Sequence, residues 1–270
     1  MTSPSTVPPR LRFTANSPVK GLAVAERRVV HPQASVICVH GALDRAGAFS
    51  RLARRLDTFD LIAYDRRGYQ GSRDLKPLGL DYHVDDLCSL VTREARHLPV
   101  ILFGHSFGGV VTFGAALRDA SLVQLVVNYE SPFPWILPRP HSHPSLSDDA
   151  RYEAERFFRR VVSDRAWDRL SEHQRESRRL DGPALLSDLS TIQRDTAPFD
   201  LTQLKVPATY VYGDCGSADY YRALGVELAK LDPAISTVEL ERADHSAHLG
   251  SPSQLAELIR HRWDLVCTSV

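Results

Sequence analysis

At 270 residues, 43% of them hydrophobic and 24% charged, the chain has material for one sizeable core, or one core carrying an insertion. Thirty-three basic residues balance thirty-three acidic ones, which excludes bulk electrostatic attraction to nucleic acid or an anionic membrane and leaves only local patches. The four cysteines form no CxxC pair, and Met1–Phe13 carries Pro and Ser where a secretion signal needs an apolar stretch. No apolar run approaches the roughly 20 residues that span a bilayer, so the expectation is a cytoplasmic protein with reduced thiols.

Short apolar runs alternate with longer helical patterns, the mark of a parallel sheet covered on both faces. "SVICVHG" (Ser35–Gly41) reads as a buried strand. "AGAFSRLARRL" follows as a helix with Phe49, Leu52, Ala53 and Leu56 on one face. "DLIAYD" (Asp60–Asp65) is the next strand and Tyr82–Ala95 the next helix. A strand over Val100–Ser106, a helix over Phe107–Leu117 and a strand over Val123–Glu130 continue the rhythm.

It breaks between Pro132 and Pro198. A proline-rich loop comes first, since each proline restricts itself and its predecessor. Asp148–Leu180 and Gly182–Ile192 then read as helices, with no strand between them. "HSHP" (His141–Pro144) reads as a solvated loop rather than a metal site. The strand–helix pattern resumes with "PATYVYGD", "DYYRALGVELAKL", "STVELER" and "SQLAELIRHRW".

"GHSFGG" (Gly104–Gly109) falls where a strand passes into a helix. A serine there needs a strained turn, and glycines at 104 and 108 let strand and helix approach. Ser106 would project above the sheet, with the helix N-terminus and the N–H of Phe107 placed to stabilise negative charge. "CVHGALD" (Cys38–Asp44) ends another strand beside it, and the N–H of Ala42 could supply a second donor. Read alone, that segment equally suits a glycine turn closing any strand. "RADHSAHLGSP" (Arg242–Pro252) follows the last strand, and His245 stands at that strand's end, far downstream of the serine. Imidazole is the side chain whose pKa suits a general base near neutrality.

Together, "VHGA", "YDRRGYQGS", "GHSFGG" and "ADHSAHLGSP" resemble the α/β-hydrolase superfamily in order and spacing, from about Val24 to Trp263. Asp244 replaces the glycine usual in the last motif. The resemblance implies an eight-stranded, mostly parallel sheet with helices on both faces and a helical cap after strand six. Residues 1–132 and 199–270 would form the core and 133–198 the cap. Asp65 and Arg66 fall in a loop that is structural in the family.

One departure matters. The family's acid commonly follows strand seven as GxxD, but here that strand ends "YGDCGSAD", with Gly216 three residues after Gly213. Asp214 comes too early and Asp219 too late. Glu130, closing an otherwise apolar strand six, is where a minority of the family carries its acid.

The resulting expectation is a cofactor-free, metal-free serine hydrolase of a small or medium ester or related acyl compound. Ser106, His245 and Glu130 would be catalytic, with Asp214 and Asp219 as alternative acids. Ala42 and Phe107 would form the oxyanion hole, and Phe157, Phe158, Trp135 and His248 the substrate pocket. Thioester, amide, lactone or carbon–carbon hydrolysis and acyl transfer fit the same residues. So does a non-catalytic ligand receptor on the same fold.

Overall fold

A computed structural model describes residues 10–139, 145–194 and 196–268; the "HSHP" segment lies outside the described residues. The sheet has eight strands in the order β1-β2-β4-β3-β5-β6-β7-β8. They are β1 (Arg12–Thr14), β2 (Val24–Arg27), β3 (Ser35–Val39), β4 (Asp60–Tyr64), β5 (Val100–His105), β6 (Val123–Tyr129), β7 (Ala208–Gly213) and β8 (Ile235–Leu240). β1 pairs antiparallel with β2 and β2 antiparallel with β4, while β4 through β8 run parallel.

The parallel strands read as unbroken apolar runs because both faces are covered. Every residue of β3, β4, β5 and β7 is buried. Alternation then sorts the side chains: Ile37 and Val39 join one layer, Val36 and Cys38 the other. The first layer is closed by α2 (Leu80–Glu94), α3 (Phe107–Arg118) and α8 (Ala218–Leu231). The second is closed by α1 (Ser50–Ala53) and α9 (Pro252–Thr268), where Leu255, Ile259 and Trp263 recur every fourth residue toward the sheet. Burying each such side chain stabilises the fold by roughly 1.5–3 kcal/mol.

Two expected elements differ in extent. The helix read over residues 46–56 is a 3-10 turn at Ala46–Phe49 followed by the single turn of α1. The Asp65 carboxylate takes the Ala46 N–H at 2.8 Å and fixes that entry. Asp148–Leu180 is three helices: α4 (Ala150–Val161), α5 (Asp164–Asp168) and α6 (Glu172–Leu180). Ser163 caps α5 by accepting from Ala166 N at 3.0 Å, and Ser171 forms a reciprocal capping box with Gln174 on α6.

With α7 (Gly182–Ile192), these helices occupy the chain between β6 and β7 and pack around Ala154, Phe158, Trp167, Leu185 and Leu189. Leu43 and Tyr69, from loops of the sheet domain, join that cluster. No helix among the described residues is long and apolar enough to cross a membrane.

Candidate functional site

Parallel pairing brings the C-terminal ends of β3, β5, β6 and β7 to one edge, on which β8 also ends. Ser106 follows β5 with φ 52° and ψ −127°, a left-handed conformation that costs a non-glycine residue on the order of 1–3 kcal/mol. Its N–H donates to Tyr129 O at 2.9 Å, which anchors the turn to β6. The glycines around it are required by space: a Cβ on Gly108 would lie 2.1 Å from Val39 O, and one on Gly104 2.5 Å from Gly109 Cα.

Glu130 leaves β6 with φ 47° and is 1% exposed. Its two oxygens are both engaged. Oε1 accepts from Gly213 N at 3.0 Å, and Oε2 lies 2.7 Å from His245 Nδ1. The histidine loop is fastened at two further points. Tyr129 donates its hydroxyl to Asp244 O at 2.6 Å, and His105 Nε2 donates to His245 O at 2.8 Å. Tyr221, from α8, stacks on the His245 ring at 6.0 Å with planes 8° apart. The imidazole is thus held at one nitrogen, at its backbone and on one face.

Ser106 and His245 line two adjoining cavities. The larger, of about 380 Å³, also has Ala42, Phe107, Phe157 and Glu130 on its wall. The smaller, of about 160 Å³, is bounded by Ala42, Asp44, Phe157, Phe158, Arg178 and His248. Val161 and Val162 at the end of α4 border both.

Electrostatics differ between the two. Burial would raise the Asp44 carboxyl, but the His248 hydrogen bond at 3.1 Å and that ring's charge outweigh it and hold the group below the usual range. Burial, and then the charges of His248 and His245, push His105 well below an ordinary histidine. Burial, and then Arg45, push Arg178 down to about 10. Arg178 covers the Phe158 ring at 5.4 Å and donates to Leu43 O.

The structure brings Ser106, His245, Glu130, Ala42, Phe107, Phe157, Phe158 and His248 to one place. Trp135 is a correction. It lines neither cavity but packs edge-on against Phe133 and Phe199, at 5.7 and 6.2 Å, because the turn after β6 directs it into the core layer. The alternative acids are also elsewhere. Exposed Asp214 accepts from Ala243 N at 3.2 Å, and Asp219 pairs with Arg222 at 2.9 Å with its side chain 100% exposed.

Asp44, Arg178 and Tyr221 escape the sequence reading because their partners lie far away in the chain. The sequence does carry a signal for Asp188, an acid inside the apolar helix "GPALLSDLSTI". It is fully buried and joined to Arg66, whose Nη2 and Nε reach Gly41 O at 3.3 Å and His40 O at 2.9 Å.

A family model described as "Alpha/beta hydrolase family" matches residues 36–258. The hydrolase YugF of Bacillus subtilis, itself uncharacterized, is 34% identical over 126 residues, 45% of this chain and 44% of that protein. Lipase LipV of Mycobacterium tuberculosis is 33% identical over 95 residues, 35% of this chain and 36% of that one. The matched segment therefore spans less than half the length of either relative. A lipase-esterase related protein from Clostridium acetobutylicum superposes with a TM-score of 0.65 at 17% identity, covering 89% of this chain and 99% of its own, a likeness of fold. The match over residues 36–258, on a sheet of this order, places the chain in the alpha/beta hydrolase family.

Proposed function

We propose that the protein is a cofactor-free serine hydrolase acting on a small or medium carboxylic ester or related acyl compound. The observation that carries this reading is the 2.7 Å contact of His245 Nδ1 with buried Glu130, beside a cavity that Ser106 also lines. A carboxylate only accepts, so it keeps the proton on Nδ1 and leaves Nε2 free as a base.

Nε2 takes the hydroxyl proton as Ser106 Oγ attacks the acyl carbon. The negative charge that forms on the carbonyl oxygen meets the N–H groups of Ala42 and Phe107. The latter stands at the first turn of α3, where N–H groups lack intrahelical acceptors and the helix dipole is positive. The imidazolium then protonates the leaving group as its bond to the acyl carbon breaks. Water, deprotonated by the same nitrogen, attacks the acyl-Ser106 ester, releasing the acid and restoring the serine.

Residues 133–198 serve as the cap of a core formed by 1–132 and 199–270. Support comes from Phe157, Val161 and Val162, which border both cavities beside Ser106. The name of the related Mycobacterium tuberculosis lipase is consistent with an acyl substrate.

The test is Ser106→Ala on p-nitrophenyl esters, with a fluorophosphonate probe alongside. The variant should keep the wild-type circular dichroism, lose roughly a thousandfold or more in kcat/KM, and fail to take up the probe. Near-wild-type turnover by well-purified variant would remove the nucleophile proposed here.

A further inference from the structure

The larger cavity carries charge that the hydrolytic steps leave unused. Arg139 and Arg160 both border it, on the side open to solvent. Among the described residues, neither guanidinium has a carboxylate within ion-pair distance, whereas their neighbours do. Arg156 holds Glu153 at 2.6 Å and Arg159 holds Glu155 at 3.0 Å. Burial lowers the Arg160 guanidinium, Glu153 raises it in part, and the like charges of Arg156 and Arg139 lower it further. Both arginines line the wall of the same cavity.

Arg139 is held in place rather than waving in solvent. Its Nη2 donates to Tyr221 OH at 2.9 Å, and its guanidinium lies 5.0 Å from the Tyr220 ring centre and 5.7 Å from that of Tyr221. Tyr221 is the residue stacked on His245. Among the described residues, that hydrogen bond leaves most of the guanidinium's five N–H donors open. Of the carboxylates on the cavity wall, Glu130 faces His245 and Gly213, and Asp244 accepts from Ser246 N at 2.8 Å; among the described residues neither forms an ion pair with Arg139 or Arg160. Two arginines without an ion pair among the described residues, on the wall of a cavity that Ser106 also lines in a chain of zero net charge, are a local arrangement suited to an anion.

We propose that the substrate cleaved at Ser106 carries an anionic group, a carboxylate or a phosphate, which Arg139 and Arg160 bind at the cavity mouth. This rests on the serine hydrolase reading, and it deepens that reading to a class of charged acyl compounds. Guanidinium binds both oxyanions through paired N–H donors, so the two share one recognition chemistry.

Two matched pairs of substrates distinguish the sources. Mono-p-nitrophenyl glutarate against p-nitrophenyl pentanoate adds a carboxylate to the acyl end. Pentanoyl-coenzyme A against the S-pentanoyl ester of N-acetylcysteamine adds phosphates to the leaving group. In at least one pair the wild type should prefer the anionic member by roughly tenfold or more in kcat/KM. Arg139→Gln and Arg160→Gln should each reduce that ratio about tenfold, and Arg160→Glu should invert it. Raising salt from about 50 to about 500 mM should shrink it.

A wild type indifferent to charge in both pairs overturns the proposal. So do variants that lose the same factor on charged and neutral members. In Ser106→Ala protein, glutarate or coenzyme A should raise Tm, and Arg160→Glu should abolish the rise. That arm reads the anion site without chemistry: a persisting shift in protein that still turns over refutes only the nucleophile, and the absence of any shift refutes only the anion site.

Discussion

Asp188 accepts from Arg66 Nη2 at 2.6 Å and Nη1 at 3.0 Å, and neither side chain has exposed surface. Tyr69 donates its hydroxyl to the same carboxylate at 2.6 Å, and His83 Nε2 lies 3.3 Å from it. Arg66 in turn reaches the carbonyls of His40 and Gly41. One buried pair therefore ties α7 to the loop that carries Ala42.

Breaking such a pair from one side leaves a buried charge uncompensated. Asp188→Ala should cost about 3–5 kcal/mol, whereas Arg66→Met with Asp188→Leu should recover most of that stability. The double variant should still lose ester turnover, because nothing replaces the guanidinium contacts to His40 O and Gly41 O. Guanidinium chloride melts and p-nitrophenyl ester assays on both variants give the answer. A wild-type midpoint for Asp188→Ala would contradict the burial argument.

Buried histidines set the acid limit. His40 Nε2 accepts from Arg66 N at 2.9 Å and its Nδ1 donates to Gly41 O at 2.7 Å, a neutral tautomer fixed by both partners. Burial, and then the Arg66 charge, push its pKa down to about 3. Burial also lowers His83 and His105. The unfolded value is about 6.5, so below it the unfolded chain binds more protons than the folded one. Stability is full above that pH and is lost as pH falls toward the depressed values.

Asp44 and Asp188, also held below their ordinary range, add a second loss below about pH 4. Urea unfolding should give a free energy flat between about pH 7 and 8, then falling with a slope approaching about 3 kcal/mol per pH unit as His40 and His105 titrate, with His83 adding to it. A curve flat down to about pH 5 would mean these rings are not held neutral.

The parallel strands were legible because a strand buried on both faces is a short, unbroken apolar run. β1 and β2 were not, being three and four residues long at an antiparallel edge with Arg12, Glu26 and Arg27 in them. Glu130 announced itself as a charge closing such a run. Asp188 gave a similar sign inside a helix, but its partner is 122 positions away. Arg139 and Tyr221 meet across 82 positions, and no local pattern marks either. Trp135 misled because an aromatic after a strand end suits a core layer as well as a pocket.

Phe157 and Phe158 are adjacent, yet the structure separates their roles. Phe158 is 8% exposed and packs on Trp167 at 5.4 Å, inside the cluster that holds the helices together. Phe157 is half-buried and borders both cavities. Phe158→Ala should therefore cost about 3 kcal/mol or more in stability. Phe157→Ala should cost less and shift chain-length preference toward longer acyl groups. A series of p-nitrophenyl esters with thermal melts separates the two, and an unchanged substrate profile in Phe157→Ala would remove it from the acyl pocket.

The proposed acid has the most demanding test. Glu130 Oε1 accepts from Gly213 N while Oε2 faces His245 Nδ1, so the side chain has one oxygen for the scaffold and one for the imidazole. In Glu130→Gln the amide oxygen can keep the Gly213 contact and the fold, while the amide nitrogen faces Nδ1 as a donor. An imidazole that accepts at Nδ1 carries its proton on Nε2, where it cannot deprotonate Ser106, and the imidazolium loses its counter-charge. The expected loss is on the order of a hundredfold or more in kcat, with little change in Tm. Asp214→Asn and Asp219→Asn should stay near wild type, since Asp214 is bound to Ala243 N and Asp219 to Arg222 at the surface. Kinetics of all three at neutral pH decide the matter: a crippled Asp214→Asn or Asp219→Asn beside a nearly normal Glu130→Gln would move the acid to the end of β7.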